Sequence, residues 1–329
     1  MMFAKSRFNV ALAVAIAALV LSCSLAAHAT TVAYWRFEEG PENALLPHST
    51  GGGVFDGTIP DVSGNGNDLS AWSDNPDHSF YYRSEVPFAT VPQTGAANNF
   101  SIKNAGGNPG LFTDSAASSP TGIDLETWTP TAWTVEASYK PQTNGYRSLL
   151  GRDAKDIAAA DSNLAALYLQ IQPDDRLGIK FVDMDGYFHE AYTAPGFIHG
   201  FDWGSDPEGL TGTWYNIAAV SDGVDLKLYV NGNLEGSTSI SASGTTDARL
   251  AYGTTDGGDW HAGGWSVGRG LYGGGHGDRG YGYIDEVRIS EGALAPNEFL
   301  GVGVPEPATG VLLLMASGLL FAVGRRQRG

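Results

Sequence analysis

The chain has 329 residues, 42% of them hydrophobic, with 45 glycines and a formal net charge of −17. Without the basic residues at its two extreme ends, 14 basic residues stand against 36 acidic ones, a net of −22, and a surface of that sign repels phosphate backbones, which argues against nucleic acid as a partner. The single cysteine, Cys23, falls in the N-terminal apolar run, so the remainder of the chain holds no disulfide, thiol nucleophile or thiolate metal ligand.

In chain order, Lys5 and Arg7 precede an apolar run from about Val10 to Leu21, followed by Ala27-His28-Ala29. A basic start, an apolar middle and small residues at Ala27 and Ala29 predict a secretion signal over residues 1–29, cut by signal peptidase after Ala29. Acylation of Cys23 within Val20-Leu21-Ser22-Cys23 is the rival reading.

Residues 30–300 predict one all-β domain. Short strand patterns recur between turn residues, and the abundance of glycine and aromatics disfavours a helical bundle. In VDLKLYVNGNLEG, Leu226, Leu228 and Val230 alternate with polar or amphipathic residues, and Asn231-Gly232 supplies the positive φ of a tight hairpin turn. The same grammar predicts strands near 177–182 and 187–192 around Asp185-Gly186. AWTVEASYKP, SLLGRD, LYLQIQP, TWYNIAAVS, GWSVGRG and YIDEVRIS supply further strands, and ALAPNEFL a helical turn. The Gly-, Ser-, Asn- and Pro-rich stretches at 40–64 and 95–122 read as long loops, and GRGLYGGGHGDRGYG as a flexible crossover before the last strand.

Residues 301–329 form a tail. Val304-Pro305-Glu306-Pro307 precedes an apolar stretch over 308–324, which as a helix would be ~25 Å long, and Arg325, Arg326 and Arg328 follow, a charge that holds its end in the cytoplasm. These parts in this order resemble the PEP-CTERM sorting signal of bacterial exported proteins. The resemblance implies transient anchoring in the inner membrane, recognition of Pro305-Glu306-Pro307 by an exosortase, and delivery to the cell surface or extracellular matrix. A buried core helix is the competing reading of the apolar stretch.

TVAYWRFEEG, DVSGNGNDL, WTVEASYKP, TWYNIAAVSDGVDLKLYVNG and GYIDEVRISEGAL, in this order, resemble the LamG-like jelly-roll family of the concanavalin A-like lectin/glucanase superfold. The resemblance implies an antiparallel jelly-roll β-sandwich and, in related domains, a metal that ties the first strand to the last. The matching residues are Glu38 or Glu39 and Asp285, which makes a structural calcium ion the expected cofactor, with backbone oxygens near 64–68 as further donors and a solvated pair of glutamates with a capping aspartate as the alternative.

Catalytic patterns are sparse. No strand carries the alternating Glu and Asp of a retaining glycosidase, there is no His-Glu-x-x-His and no Gly-x-Ser-x-Gly, and the glycine-rich crossover lacks the lysine of a phosphate loop. A noncatalytic module that binds extracellular polysaccharide or another matrix component is the expected function, with an adhesive surface protein or a glycan-cleaving enzyme as alternatives. Aromatic faces stack on sugar rings, and Trp203, Trp260, Tyr272 and Tyr281 lie in polar, glycine-bearing surroundings that suit a surface platform, whereas Trp35, Trp133 and Trp214 lie within strand patterns that suit a core.

Overall fold

The computed structural model describes residues 29–50, 56–104, 106–113, 119–142, 145–154, 157–252 and 263–303. Residues 1–28 of the secretion signal, Ala27 included, residues 304–329 of the sorting tail with Pro305, Glu306, Pro307, Arg325 and Arg326, and Trp260 lie outside them, while Ala29 lies within. Among the described residues no helix is long and apolar enough to cross a membrane.

The strands in chain order are β1 (Thr30–Trp35), β2 (Asp56–Ile59), β3 (Leu69–Trp72), β4 (Phe80–Arg83), β5 (Ser101–Asn104) and β6 (Gly110–Phe112). After them come β7 (Trp133–Pro141), β8 (Arg147–Arg152), β9 (Leu167–Ile171), β10 (Leu177–Val182), β11 (Phe188–Tyr192) and β12 (Tyr215–Ser221). The last are β13 (Asp225–Val230), β14 (Asn233–Ser239), β15 (Trp265–Val267), β16 (Gly270–Tyr272), β17 (Gly275–Gly277) and β18 (Gly282–Glu291). One eight-stranded sheet, sheet A, runs β14-β13-β12-β7-β18-β5-β4, with β1 also on β18; the other, sheet B, runs β11-β10-β9-β8-β15-β6-β3-β2. All named pairings are antiparallel, and β16 and β17 form a separate hairpin. The result is the all-β sandwich that the strand grammar predicts. The expected helical turn near the end is a short 3₁₀ turn at Pro296–Glu298.

The two stretches expected as loops differ from expectation. Residues 40–64 contain β2, and 95–122 contain β5 and β6, which pair with the far longer β18 and with β15. Their sequences are poor in β-formers, and neighbouring strands supply the hydrogen bonds and packing that local preference lacks.

Alternation builds the core. In β13, Leu226, Leu228 and Val230 are buried while Asp225, Lys227 and Tyr229 are only partly so. The interior holds Trp35, Trp133, Trp265, Phe37 and Phe80, and Trp133 of sheet A meets Phe181 of sheet B edge to face at 5.3 Å. At one side the sheets approach closely. A Cβ on Gly236 of β14 would sit 2.3 Å from the Tyr192 carbonyl oxygen of β11, so only glycine lets these two edge strands shield each other.

β18 organises one end of sheet A. It pairs with β7 on one side and, on the other, with β5 through 282–284 and β1 through 287–291. The switch between partners coincides with a bulge at 285–288, where Glu286 takes a positive φ of 50°. Residues 294–302 then cross the outer face of sheet A. Their backbone is tied to a buried ion pair: Leu300 N–H donates to Glu136 Oε1 at 2.7 Å, Arg288 Nε donates to Glu136 Oε2 at 2.6 Å, and Arg288 Nη2 donates to the Glu298 carbonyl at 2.8 Å.

Candidate functional site

Two polar constructions stand out, one on the outer face of sheet B and one at the bulge of β18.

On sheet B, Leu167, Leu169 and Ile171 of β9 enter the core, which turns Tyr168 and Gln170 outward. The register sets Tyr168 against Lys180 of β10, and Gln170 against Gly178 of β10 and Ser148 of β8. Gln170 is fixed as a floor: its Nε2 donates to Ser148 Oγ and to Asp278 Oδ2, both at 3.0 Å, and its Oε1 accepts from Gln172 Nε2 at 3.0 Å. Burial pushes the Asp278 carboxyl above the usual carboxylate range. Over this floor lies a cleft of about 310 Å³ lined by Tyr146, Asp161, Leu164, Tyr168, Gln170, Lys180, Tyr272 and Asp278. Tyr146 and Tyr272 are 46% and 54% exposed, so each offers ring surface to a ligand. Beside the cleft the Tyr192 ring lies over Gly178, where a Cβ would come within 2.5 Å of it, and the Arg176 guanidinium sits 4.7 Å from that ring.

Two of the cleft's charges, on Lys180 and Asp278, are compensated locally. Lys180 Nζ lies 3.6 Å from Glu190 Oε2, and Arg147 and Arg279 act electrostatically on Asp278. The surface thus combines exposed aromatic rings with fixed polar groups.

The aromatic residues singled out in the sequence do not form one platform. Tyr272 is a wall of the cleft. Tyr281 lies close by but outside the lining, with its hydroxyl on the Gly107 carbonyl at 3.2 Å and Arg147 5.0 Å from its ring. Trp203 is exposed but belongs to the sheet A side, 5.5 Å from the ammonium of buried Lys103 on β5. Tyr146, Tyr168, Gln170, Lys180, Asp161 and Asp278 escaped the sequence reading; the outward set of the alternating LYLQIQ was the one available signal.

At the β18 bulge, Asp285 is fully buried. It accepts from Asn98 Nδ2 at 2.8 Å and from the Glu286 amide at 2.9 Å, and takes no bond from Arg288. Burial, reinforced by the neighbouring Glu286 and Glu38 carboxylates, raises its carboxyl well above the usual range. The Asn98 Oδ1 atom is buried without a partner among the described residues. Glu38 accepts from the Asn99 and Phe100 amides at 2.8 and 3.3 Å and from Asn99 Nδ2 at 2.9 Å. Glu39 stands apart, accepting from the Tyr82 hydroxyl at 3.4 Å. Among the described residues no three acidic or histidine side chains converge on one point as a finished metal site. The donors present are all oxygens, as calcium prefers, and the orphaned Asn98 Oδ1 beside a buried carboxylate fits a cation. The Asp61–Asp68 loop is turn chemistry: Asp61 accepts from the amides of Tyr34, Ser63 and Asn67 at 2.9, 2.9 and 3.0 Å, which sews the loop to β1.

Comparison with known proteins bears on both ends of this description. A model of the concanavalin A-like lectin/glucanases superfamily matches residues 113–299, and one of the PEP-CTERM protein-sorting motif matches residues 303–328. No curated protein matches the chain. Among solved structures, the botulinum neurotoxin serotype D binding domain is 12% identical over 82% of this chain and 49% of its own, with a TM-score of 0.44. The same serotype's ligand binding domain in complex with N-acetylneuraminic acid is 10% identical over 82% and 49%, with a TM-score of 0.45. Domain 4 of AbnA, a GH43 extracellular arabinanase from Geobacillus stearothermophilus, in complex with arabinotriose, is 17% identical over 82% and 96%, with a TM-score of 0.45. The match spans about half the length of the neurotoxin domains. The chain carries the PEP-CTERM motif of exported proteins and belongs to the concanavalin A-like lectin/glucanases superfamily.

Proposed function

We propose that this protein is a noncatalytic exported module that binds a neutral carbohydrate chain of the extracellular matrix in the cleft between Tyr146 and Tyr272. The observation that carries the reading is the pairing of two exposed tyrosines with a fixed polar floor in a cleft of about 310 Å³. The local compensation of Lys180 and Asp278 favours an uncharged ligand, and the remaining Asp161 with the acidity of the chain disfavours polyanions. Signal peptidase and an exosortase act on the two ends, so the chain is briefly held in the inner membrane and then serves at the cell surface or in the matrix.

Calcium, held by Asp285, Asn98 Oδ1 and Glu38, completes the proposal as a structural ion. Its role would be to neutralise the buried carboxylate and fasten the turn after β1 to β18.

Calorimetry of the mature protein against hexamers of glucose, xylose, arabinose and N-acetylglucosamine tests the cleft. Tyr272→Ala is expected to weaken the preferred hexamer roughly tenfold or more, and Trp203→Ala to leave it unchanged. Absence of binding to all four, or an unaltered affinity in Tyr272→Ala, rules the reading out.

A further inference from the structure

The glycine-rich stretch 268–282 does not behave as the slack crossover its composition suggests. It folds back as the β16–β17 hairpin, which carries Tyr272 to the rim of the cleft. Its base is clamped to β8: the Ser148 amide donates to the Asp278 carbonyl at 2.7 Å and the Gly268 amide to the Leu149 carbonyl at 3.0 Å. Such close approach requires glycine, since a Cβ on Gly280 would lie 2.5 Å from the Ser148 carbonyl oxygen. At the tip, the Gly273 amide donates to the Asn163 carbonyl at 3.0 Å.

Between base and tip, one side chain reaches a buried charge. His276 lies directly across the ladder from Leu271, one position from Tyr272, and its Nε2 is 2.7 Å from Asp153 Oδ2 just beyond β8. The two side chains are only 2% and 3% exposed. A carboxylate can only accept, so Nε2 carries the proton and donates. Asp153 is itself pinned, with its amide on the Gly264 carbonyl and its carbonyl on the Gly263 amide, both at 2.7 Å. The imidazole also packs edge-on against Phe112, with centroids 5.0 Å apart. Among the described residues Asp153 Oδ1 has no hydrogen-bond partner, and His276 is the side chain that donates to this buried carboxylate.

We infer that His276 and Asp153 are the positioning pair of the binding site: their hydrogen bond holds the hairpin in one place and so preorganises Tyr272 as a wall. The glycines make the need for such a fastener plain, because a hairpin with so many of them has a large conformational entropy to lose on ordering. A wall that is already ordered spares the ligand that cost. The inference rests on the cleft reading for its functional meaning, whereas the fastening itself is measurable without any ligand.

The test is hydrogen–deuterium exchange of the mature protein, together with calorimetry on the four hexamers above, for His276→Leu, His276→Gln and Asp153→Ala. His276→Leu is expected to speed exchange of amides 270–277 about tenfold or more while β7 and β12 stay protected, and to weaken hexamer binding by roughly tenfold, the equivalent of one hydrogen bond to a charged group. His276→Gln, whose amide still donates to Asp153, is expected to restore both most of the way. Unchanged exchange at 270–277 in His276→Leu, or loss of protection spread evenly over the sandwich, overturns the inference. If His276→Leu does not fold, Asp153→Ala, which removes the acceptor, against His276→Gln decides it: faster hairpin exchange in the first alone supports the fastener, and equal exchange in the two refutes it. Should the wild type bind none of the hexamers, the cleft reading fails while the exchange data still judge the hairpin.

Discussion

Arg288→Met probes the buried ion pair beneath the C-terminal crossing segment. Glu136 lies in the middle of β7 with its side chain 4% exposed, and Arg288 on β18 is its cationic partner. Burial already lifts the Glu136 carboxyl above the usual range despite that partner, which shows how costly the lone anion would be. Removing the guanidinium leaves Glu136 with the Leu300 amide as its donor and takes one donor from the Glu298 carbonyl. The expected loss is about 3–5 kcal/mol, the range for breaking a buried pair from one side. Glu136→Leu combined with Arg288→Met removes the charge with its partner, so the double variant should recover most of that loss, less about 1 kcal/mol for each hydrogen bond the crossing segment forfeits. Urea unfolding of the mature protein, followed by tryptophan fluorescence and closed into a double-mutant cycle, gives the coupling energy. A loss under about 1 kcal/mol in Arg288→Met, or a double variant no better than the single one, refutes the reasoning that desolvation dominates this site.

Gly236→Ala should cost about 1–3 kcal/mol, because its Cβ would meet the Tyr192 carbonyl where β14 and β11 shield each other; unfolding midpoints check it. Millimolar calcium should raise the melting temperature of the wild type, with about 2.7 kcal/mol of stabilisation once the ion exceeds its dissociation constant a hundredfold, and should leave Asp285→Ala unmoved. An identical response to calcium and chelator in both proteins counts against the ion. For Asp278, the folded-state pKa lies above the unfolded value, so the folded chain holds the extra proton and stability falls as pH rises through the shifted pKa. Asp278→Asn should therefore flatten that decline, gaining on the wild type between acidic and neutral pH in parallel thermal melts. Asparagine tolerates the positive φ of 49° at this position, so the backbone is not perturbed.

What the sequence alone determined was whatever the chain builds from near neighbours. The alternation in 225–230 and the Asn231-Gly232 turn define β13 and β14, and the turn residues indeed take φ of 50° and 79°. Asp185-Gly186 lies in the longer turn 183–187 that joins β10 to β11, with Gly186 at 84°. Alternation and tight turns act within a few residues, so they are written locally. The C-terminal sorting motif is legible for the same reason, being a contiguous address.

Tertiary structure alone decided the rest. Strands β5 and β6 arise in glycine- and asparagine-rich sequence because the distant strands β18 and β15 offer them hydrogen bonds, an effect no local window contains. The cleft gathers Tyr146, Gln170, Lys180, Tyr272 and Asp278 from four separate stretches, while Trp203, alike in its surroundings by sequence, ends on the other sheet. The glycine-rich segment shows the distinction most directly. Its composition says only that the backbone is free to bend, and the contacts to Ser148, Asn163 and Asp153 fix which bend it keeps. Side-chain identity sets the range of conformations a segment can adopt, and packing against remote partners selects one of them.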